Sequence, residues 1–412
     1  MQPADVTAAA DGSQSKNRRS APLDGLRGLA ALSIFVFHGW LYTMPAPNAT
    51  DRSSLGDYAA HELRLGLVAF FVLSGFLLSR PWFAAALDER RPPDVRRYVR
   101  ARAARILPAY YLALAGSIVL LWGLRGTPGL RLPPPDTLPL FVVFGQNFSP
   151  ESVMKLNPPM WSLAVEVMFY ATLPLIGWLA LRLSPRRRMQ ALAPLALLAI
   201  GLLYNWSIAG HGLGLTFSKT LAAMLPYFAL GMLAALAMHG RTIDMRAKRG
   251  LVSAGVALVL ADAIVKAAAP ANGVDVGDTF AVIRDLPSAI GFALIIAALA
   301  AAPRSRVLGG SLLGGMGAIS YGFYLWHVPV LMALRGYGLL PLDPLLGTLV
   351  AFVPSLAIAT LSWFALERPI LRWSTRRDRR VRGKDDAEAE AQLRRGGVDH
   401  RAGGVEVATV RP

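Results

Sequence analysis

The chain has 412 residues, 54% of them hydrophobic and only 17% charged, with a mean hydropathy of +0.42. Soluble domains carry about 25% charged residues, so the two or three soluble domains that this length would otherwise imply, at ~150 residues each, are excluded in favour of one polytopic membrane domain. Cysteine is absent, which removes disulfide frameworks, thiolate metal sites and cysteine nucleophiles, and the net charge of +17 has to be located before it is read as affinity for nucleic acid.

Residues 1–20 are polar, carry Lys16, Arg18 and Arg19, and have no apolar core before Pro22. They read as a disordered cytoplasmic tail, not as a cleavable signal peptide. Residues 21–372 read as an all-α transmembrane domain. A membrane helix needs ~20 mostly apolar residues. Ten stretches qualify: 23–43, 63–83, 106–124, 160–182, 190–208, 217–239, 250–268, 282–302, 315–335 and 346–366. The stretch 138–147 is too short to cross and is placed in the loop before the fourth span. No repeat at a fixed period and no inverted duplication stands out. Residues 373–412 begin with a run of arginines and continue with Asp385, Asp386, Glu388 and Glu390. That composition buries no core and reads as a second disordered cytoplasmic tail, its basic start suited to anionic lipid.

The charges test this layout. With the N-terminus inside, the inner segments hold 33 basic residues and the outer ones 9, Arg27 lying within the first span. That asymmetry places both termini in the cytoplasm of a multi-pass protein of the plasma membrane. It also accounts for the basicity without nucleic acid, which would need it gathered on one soluble domain.

Ionisable groups inside spans are expensive and are kept for function. In the first span Arg27 and His38 are eleven residues apart, which puts them on one face and ~16 Å apart along the axis. The second span contains Ser74-Gly75. Arg102 and Arg105 lie one turn apart where the third span begins, and guanidinium forks suit phosphate oxygens. In the fourth span Trp161 precedes Ser162, Glu166 and Tyr170, which share a face at i, i+4 and i+8. Residue counting gives Glu166 about the depth of His38, so the carboxylate is expected beside that imidazole. In the ninth span Ser320, Tyr324 and His327 form one stripe. Asp262 is left unexplained.

Taken together, these segments resemble the acyltransferase 3 family of integral-membrane O-acyltransferases. The matching pieces are Arg27 and His38 separated by ten residues, Phe70-Phe71-Val72-Leu73-Ser74-Gly75-Phe76, and Arg102-x-x-Arg105-Ile106-Leu107-Pro108. They continue with Trp161-Ser162-Leu163-x-x-Glu166-x-x-Phe169-Tyr170, Ser320-Tyr321-x-x-Tyr324-Leu325-Trp326-His327-x-Pro329 and Glu367-x-Pro369. They occur in the family's order over residues 22–372. Two departures are visible. Val167 and Met168 stand where polar residues are common in the family, and the protein is expected to act without the extracytoplasmic esterase-like domain that many members carry after the last span.

The resemblance implies transfer of an acyl group, often acetyl, from acyl-coenzyme A to a hydroxyl of a carbohydrate, a cell-envelope glycan or a macrolide-type acceptor. Arg27 and His38 correspond to the family's signature pair. On this reading Arg27, Arg102 and Arg105 hold the coenzyme A phosphates, His38 is the general base and Glu166 orients it. Ser74, Trp161, Ser162, Tyr170, Ser320, Tyr324 and His327 hold the acceptor or stabilise the oxyanion. An acyl-histidine relay through His38 is the variant. No metal is expected, although His38, Glu166 and His327 are residue types that bind zinc. Two other classes remain open: a proton-coupled secondary transporter, which would also place His and Glu in spans, and a non-catalytic membrane scaffold.

Overall fold

The computed structural model describes residues 3–44, 54–127, 130–271, 282–283, 285–301, 308, 310–378 and 380, with backbone alone at 3–20, 269–271 and 311. Arg52, Arg284, Arg304 and Arg306, which enter the charge asymmetry, lie outside the described residues, as does the acidic part of the expected C-terminal tail. The described elements are helical. In chain order they are α1 (Pro3–Thr43), α2 (Leu55–Glu62), α3 (Gly66–Leu87), α4 (Val95–Leu121), α5 (Leu138–Val142), α6 (Met160–Leu181) and α7 (Arg187–Gln190). They continue with α8 (Leu192–Gly210), α9 (Leu215–Ser218), α10 (Leu221–Met238), α11 (Met245–Ala271), α12 (Leu286–Ala301), α13 (Ser311–Gly336) and α14 (Pro344–Ser362).

Among the described residues, eight helices are long and apolar enough to cross a membrane. They match every expected span except the first and the eighth. The first lies within α1, whose helix is drawn from Pro3, well before the span expected from residue 23. The eighth appears as α12, an apolar helix of 16 residues, about 24 Å long against a hydrocarbon core of ~30 Å. The stretch 138–147 forms only the single turn α5 and a 3-10 turn at Gln146–Phe148, as its length required. At the other end of the chain, α14 passes through a π-helical turn (Trp363–Glu367) and stays helical to Asp378, beyond the tail boundary expected at residue 373. The extension is held by polar contacts: the Asp378 carboxylate accepts from Arg100 at 2.6 Å and faces Arg97 at 3.4 Å.

The bundle is built on two closely packed helix pairs, α1 against α13 and α3 against α10. In lipid, helices associate through close packing and not through hydrophobic exclusion, so small residues at the seam matter most. A Cβ on Gly231 of α10 would strike the Val72 carbonyl, and one on Gly75 of α3 would strike the Phe228 carbonyl. The seam is filled by Val72, Phe76, Phe169 and Phe228, each at most 1% exposed. The two α1/α13 faces carry the polar stripe Arg27, His38, Ser320, Tyr324 and His327, so this pairing decides what the functional cleft contains.

The α4–α6 connection caps one end of that cleft. Asn147 Nδ2 donates to the Trp161 and Lys219 carbonyls, both at 2.8 Å, and Gln146 Nε2 to the Met160 carbonyl at 3.0 Å. Asn157 Nδ2 reaches the Leu325 carbonyl at 3.0 Å, tying the loop to α13. Substituting Gly231→Val should cost about 1–3 kcal/mol by overpacking, seen as a lower thermal midpoint in detergent. Gly210→Ala, at a glycine whose Cβ would meet no atom within 4 Å, should leave the midpoint unchanged.

Candidate active site

Two cavities lie end to end inside the bundle. The first, of ≈ 250 Å³, is lined by Arg27, Arg102 and Arg105 at its mouth and by Ser74, Glu166, Tyr170 and Ser320 deeper in. The second, of ≈ 270 Å³, is lined by His38, His61, Arg64, Trp161, Lys219 and Asp285. Leu67, Phe71 and Tyr324 line both, so they form the partition between them. The Tyr324 hydroxyl is fixed there by Ser162 Oγ at 2.7 Å and the Pro159 carbonyl at 3.2 Å. Beyond the arginines a wider vestibule of ≈ 470 Å³ opens, bounded by α1, α4 and the α14 extension.

The mouth of the first cavity is strongly basic: three guanidinium groups and one carboxylate line it. Arg27 is paired with Asp24 at 2.8 Å. Arg105 lies over the rings of Tyr321 (5.7 Å) and Trp363 (5.9 Å), and Arg102 over Tyr170 (5.9 Å). Aromatic faces hold a guanidinium in place without occupying its N–H donors. Arg102 Nε is buried with no hydrogen-bond partner among the described residues. Donors held this way fit a multiply charged anion such as a phosphate.

Glu166 belongs to this cavity and not to the imidazole. Its Oε1 accepts from Ser74 Oγ at 2.7 Å and from the Tyr170 hydroxyl at 2.5 Å. The expectation that Glu166 sits beside His38 is therefore corrected. Along α6, Trp161 faces the second cavity, Ser162 the partition, and Glu166 and Tyr170 the arginine side. Residue counting along single helices does not say which cavity a side chain enters; that depends on how α6 packs against α3 and α13. Ser320 also lines the first cavity, its hydroxyl donating back to the Gly317 carbonyl at 2.8 Å.

The partner of His38 is His327. His327 Nδ1 lies 3.2 Å from the Phe323 carbonyl, and its Nε2 is 3.0 Å from His38 Nδ1. A carbonyl only accepts, so His327 carries its proton on Nδ1 and presents a lone pair at Nε2. His38 Nδ1 faces that lone pair and the Ile34 carbonyl at 3.1 Å, two acceptors. It must therefore carry the proton, which leaves His38 Nε2 as the basic nitrogen. The spacing of these residues within their own helices gave no sign of the pair, because it depends on the register of α1 against α13.

Sequence reading also missed a buried charge network beside the second cavity. Arg64 is bidentate to Asp285, at 2.8 and 2.9 Å, and donates to Glu62 Oε2 at 3.0 Å. Glu62 Oε1 is 2.8 Å from His61 Nδ1. Lys266 bridges Asp285 at 2.7 Å and Asp262 at 2.8 Å, and Asp262 also accepts from the Ser288 hydroxyl. Asp262 is thus accounted for as one end of this chain. Among the described residues, no group of three or more His, Cys, Asp or Glu is placed to hold a metal ion.

The fold and these cavities define a multi-pass membrane protein with a polar path through its bundle. The family profile for the acyltransferase domain matches residues 21–364, and the chain belongs to that family, acyltransferase 3. It is 29% identical over 333 residues to acyltransferase MdmB of Streptomyces mycarofaciens, covering 76% of this chain and 79% of that protein. It is 25% identical over 372 residues to O-acetyltransferase OatA of Staphylococcus aureus, covering 84% of this chain but only 56% of OatA. No solved structure matches. The protein is therefore a membrane O-acyltransferase, and the transporter and scaffold alternatives are set aside. Asp285→Asn, which leaves Arg64 and Lys266 short of a buried counter-charge, should cost about 3–5 kcal/mol, measured as a lowered thermal midpoint in detergent.

Proposed function

We propose that the protein moves an acyl group, acetyl in the simplest case, from acyl-coenzyme A to a hydroxyl of a carbohydrate, cell-envelope glycan or macrolide-type acceptor. We further propose ten spans in the plasma membrane, with both termini and the arginine mouth in the cytoplasm; the 33 to 9 division of basic residues supports this. The observation that carries the reading is the path itself: phosphate-binding chemistry at one end, a base of defined tautomer in the cavity at the other, and a narrow partition between.

In this reading Arg102, Arg105 and Arg27 hold the phosphates, and the pantetheine arm runs through the first cavity past Glu166 and Tyr170. The thioester then reaches Tyr324 and Ser162 at the partition. The acceptor lies in the second cavity. His38 Nε2 takes the proton of its hydroxyl as the oxygen attacks the thioester carbonyl, and a C–O bond forms. The Tyr324 hydroxyl, its one proton turning from the Pro159 carbonyl to the developing charge, stabilises the oxyanion. The C–S bond then breaks, and the leaving thiolate receives the proton from His38. His327 holds the His38 ring and tautomer, the role that sequence reading gave to Glu166. Glu166 instead fixes Ser74 and Tyr170 and balances charge among the arginines.

His38→Ala should reduce release of coenzyme A from acetyl-coenzyme A by purified protein at least about a hundredfold; equal release by the variant would remove His38 from the chemistry. Arg102→Ala and Arg105→Ala should each raise KM for acetyl-coenzyme A about tenfold, with a smaller change in kcat. Steady-state kinetics in detergent separates these effects.

A further inference from the structure

The vestibule beyond the arginines has no part in the steps above. Arg102 and Arg105 line it, and so do Leu371, Ser374, Thr375 and Asp378 of the helical run that extends α14 past its π-turn. On the donor reading, the diphosphate of coenzyme A sits at Arg102 and Arg105 and the pantetheine arm runs inward from it. The other end of the molecule, an adenosine that carries a 3′-phosphate, then lies in the vestibule, whose ≈ 470 Å³ is wider than either inner cavity.

Asp378 is an anion already held at this place. It is 8% exposed, takes Arg100 Nη2 on Oδ1 at 2.6 Å and faces Arg97 Nε with Oδ2 at 3.4 Å. Asp378 lines the vestibule, whereas Arg97 and Arg100 are not among its lining residues, so a ligand there meets the carboxylate first. The cluster is not saturated. Two guanidinium groups share one carboxylate, and the Arg97 contact is longer than a normal hydrogen bond. Arg100 Nε is buried with no hydrogen-bond partner among the described residues. A phosphate monoester brings a charge of roughly −1.5 to −2 and three acceptor oxygens, which suits two guanidinium groups better than one carboxylate does. Arg97 and Arg100 precede Arg102 and Arg105 by five residues each, a rise of ~7.5 Å along α4. That lies within the reach of two phosphate groups carried on one ribose.

We propose that the α14 extension completes a nucleotide subsite: Asp378 holds Arg97 and Arg100 between turnovers and gives them up to the 3′-phosphate of the incoming acyl-coenzyme A. The proposal rests on the donor side assigned above. The exchange swaps one anion for another on the same two guanidinium groups, so neither a bare buried charge nor a break in α14 is needed. It makes the enzyme selective for donors that carry the 3′-phosphate, and it makes the Asp378 carboxylate an internal competitor that weakens their binding by a set amount.

The test uses the full chain in nanodiscs, titrated by calorimetry with coenzyme A and with 3′-dephospho-coenzyme A. The wild type should bind coenzyme A about tenfold or more tighter, the size expected for hydrogen bonds to a charged group. Arg100→Ala should bring the two Kd values to within about twofold of each other. Asp378→Asn, which removes the competing charge, should widen the preference for coenzyme A about threefold or more. Asp378→Glu, which keeps the charge, should restore the wild-type ratio. The ratio of the two affinities separates this exchange from a merely structural contact, whose loss would weaken both ligands alike. A wild type indifferent to the 3′-phosphate overturns the proposal, as does an Arg100→Ala variant that keeps the preference. So does an Asp378→Asn variant in which the ratio stays the same or narrows. A wild type that binds neither ligand instead overturns the donor reading, and this inference falls with it.

Discussion

A charged or strongly polar side chain in the hydrocarbon region must find a partner within the protein, because neither water nor lipid supplies one. Most of the architecture follows from that constraint. His38 and His327 meet across the α1/α13 interface, and Glu166 is satisfied by Ser74 and Tyr170. Asp262, Lys266, Asp285, Arg64, Glu62 and His61 form one chain of alternating partners. The His38–His327, Ser74–Glu166 and Arg64–Asp285 pairings tie together segments far apart in sequence, so these polar groups also fix the bundle's register. The glycine seam between α3 and α10 complements this: it brings two backbones close and leaves the interior volume to the cavities.

The polar groups change in character from one cavity to the next. Arginines at one mouth are steadied by aromatic faces, so their donors stay available. The middle carries hydroxyls, Ser74, Tyr170, Ser162 and Tyr324, that can line a neutral arm without binding it tightly. The far cavity holds the imidazoles. Leu67, Phe71 and Tyr324 line both compartments. In the proposed function this hydroxyl-bearing partition contacts the thioester carbonyl from one side and the acceptor from the other.

Much of this was legible in the sequence. Composition and charge asymmetry pointed to an all-α membrane protein, and eight of the ten expected spans match membrane-length helices because long apolar runs are a strong signal. Six short motifs in order gave the family. Arg27, Arg102 and Arg105, grouped from sequence by their position at one end of their helices, line one cavity. What was not legible depends on relations between helices. The partner of Glu166 was misjudged: it is held by Ser74 and Tyr170 and not by His38. The His38–His327 pair needed the register of α1 against α13. Arg64 and Lys266 entered only the count of outer basic residues, because nothing local indicates that Asp285, more than 200 residues from Arg64, completes the pair. The helical run to Asp378 was missed because its composition is polar; it is held by arginines of α4, not by a hydrophobic face.

The central claim is that acyl transfer runs through the bundle, from the arginine mouth to the His38 cavity. Oriented proteoliposomes test it most directly. Acetyl-labelled acetyl-coenzyme A is supplied on one face at a time, the face exposing the C-terminus is identified by protease, and label is followed into octyl glucoside or acetate in each compartment. The account predicts consumption of the donor only from the C-terminal face, with label appearing in the opposite compartment. Label that stays in the donor compartment, or equal consumption from both faces, would contradict it.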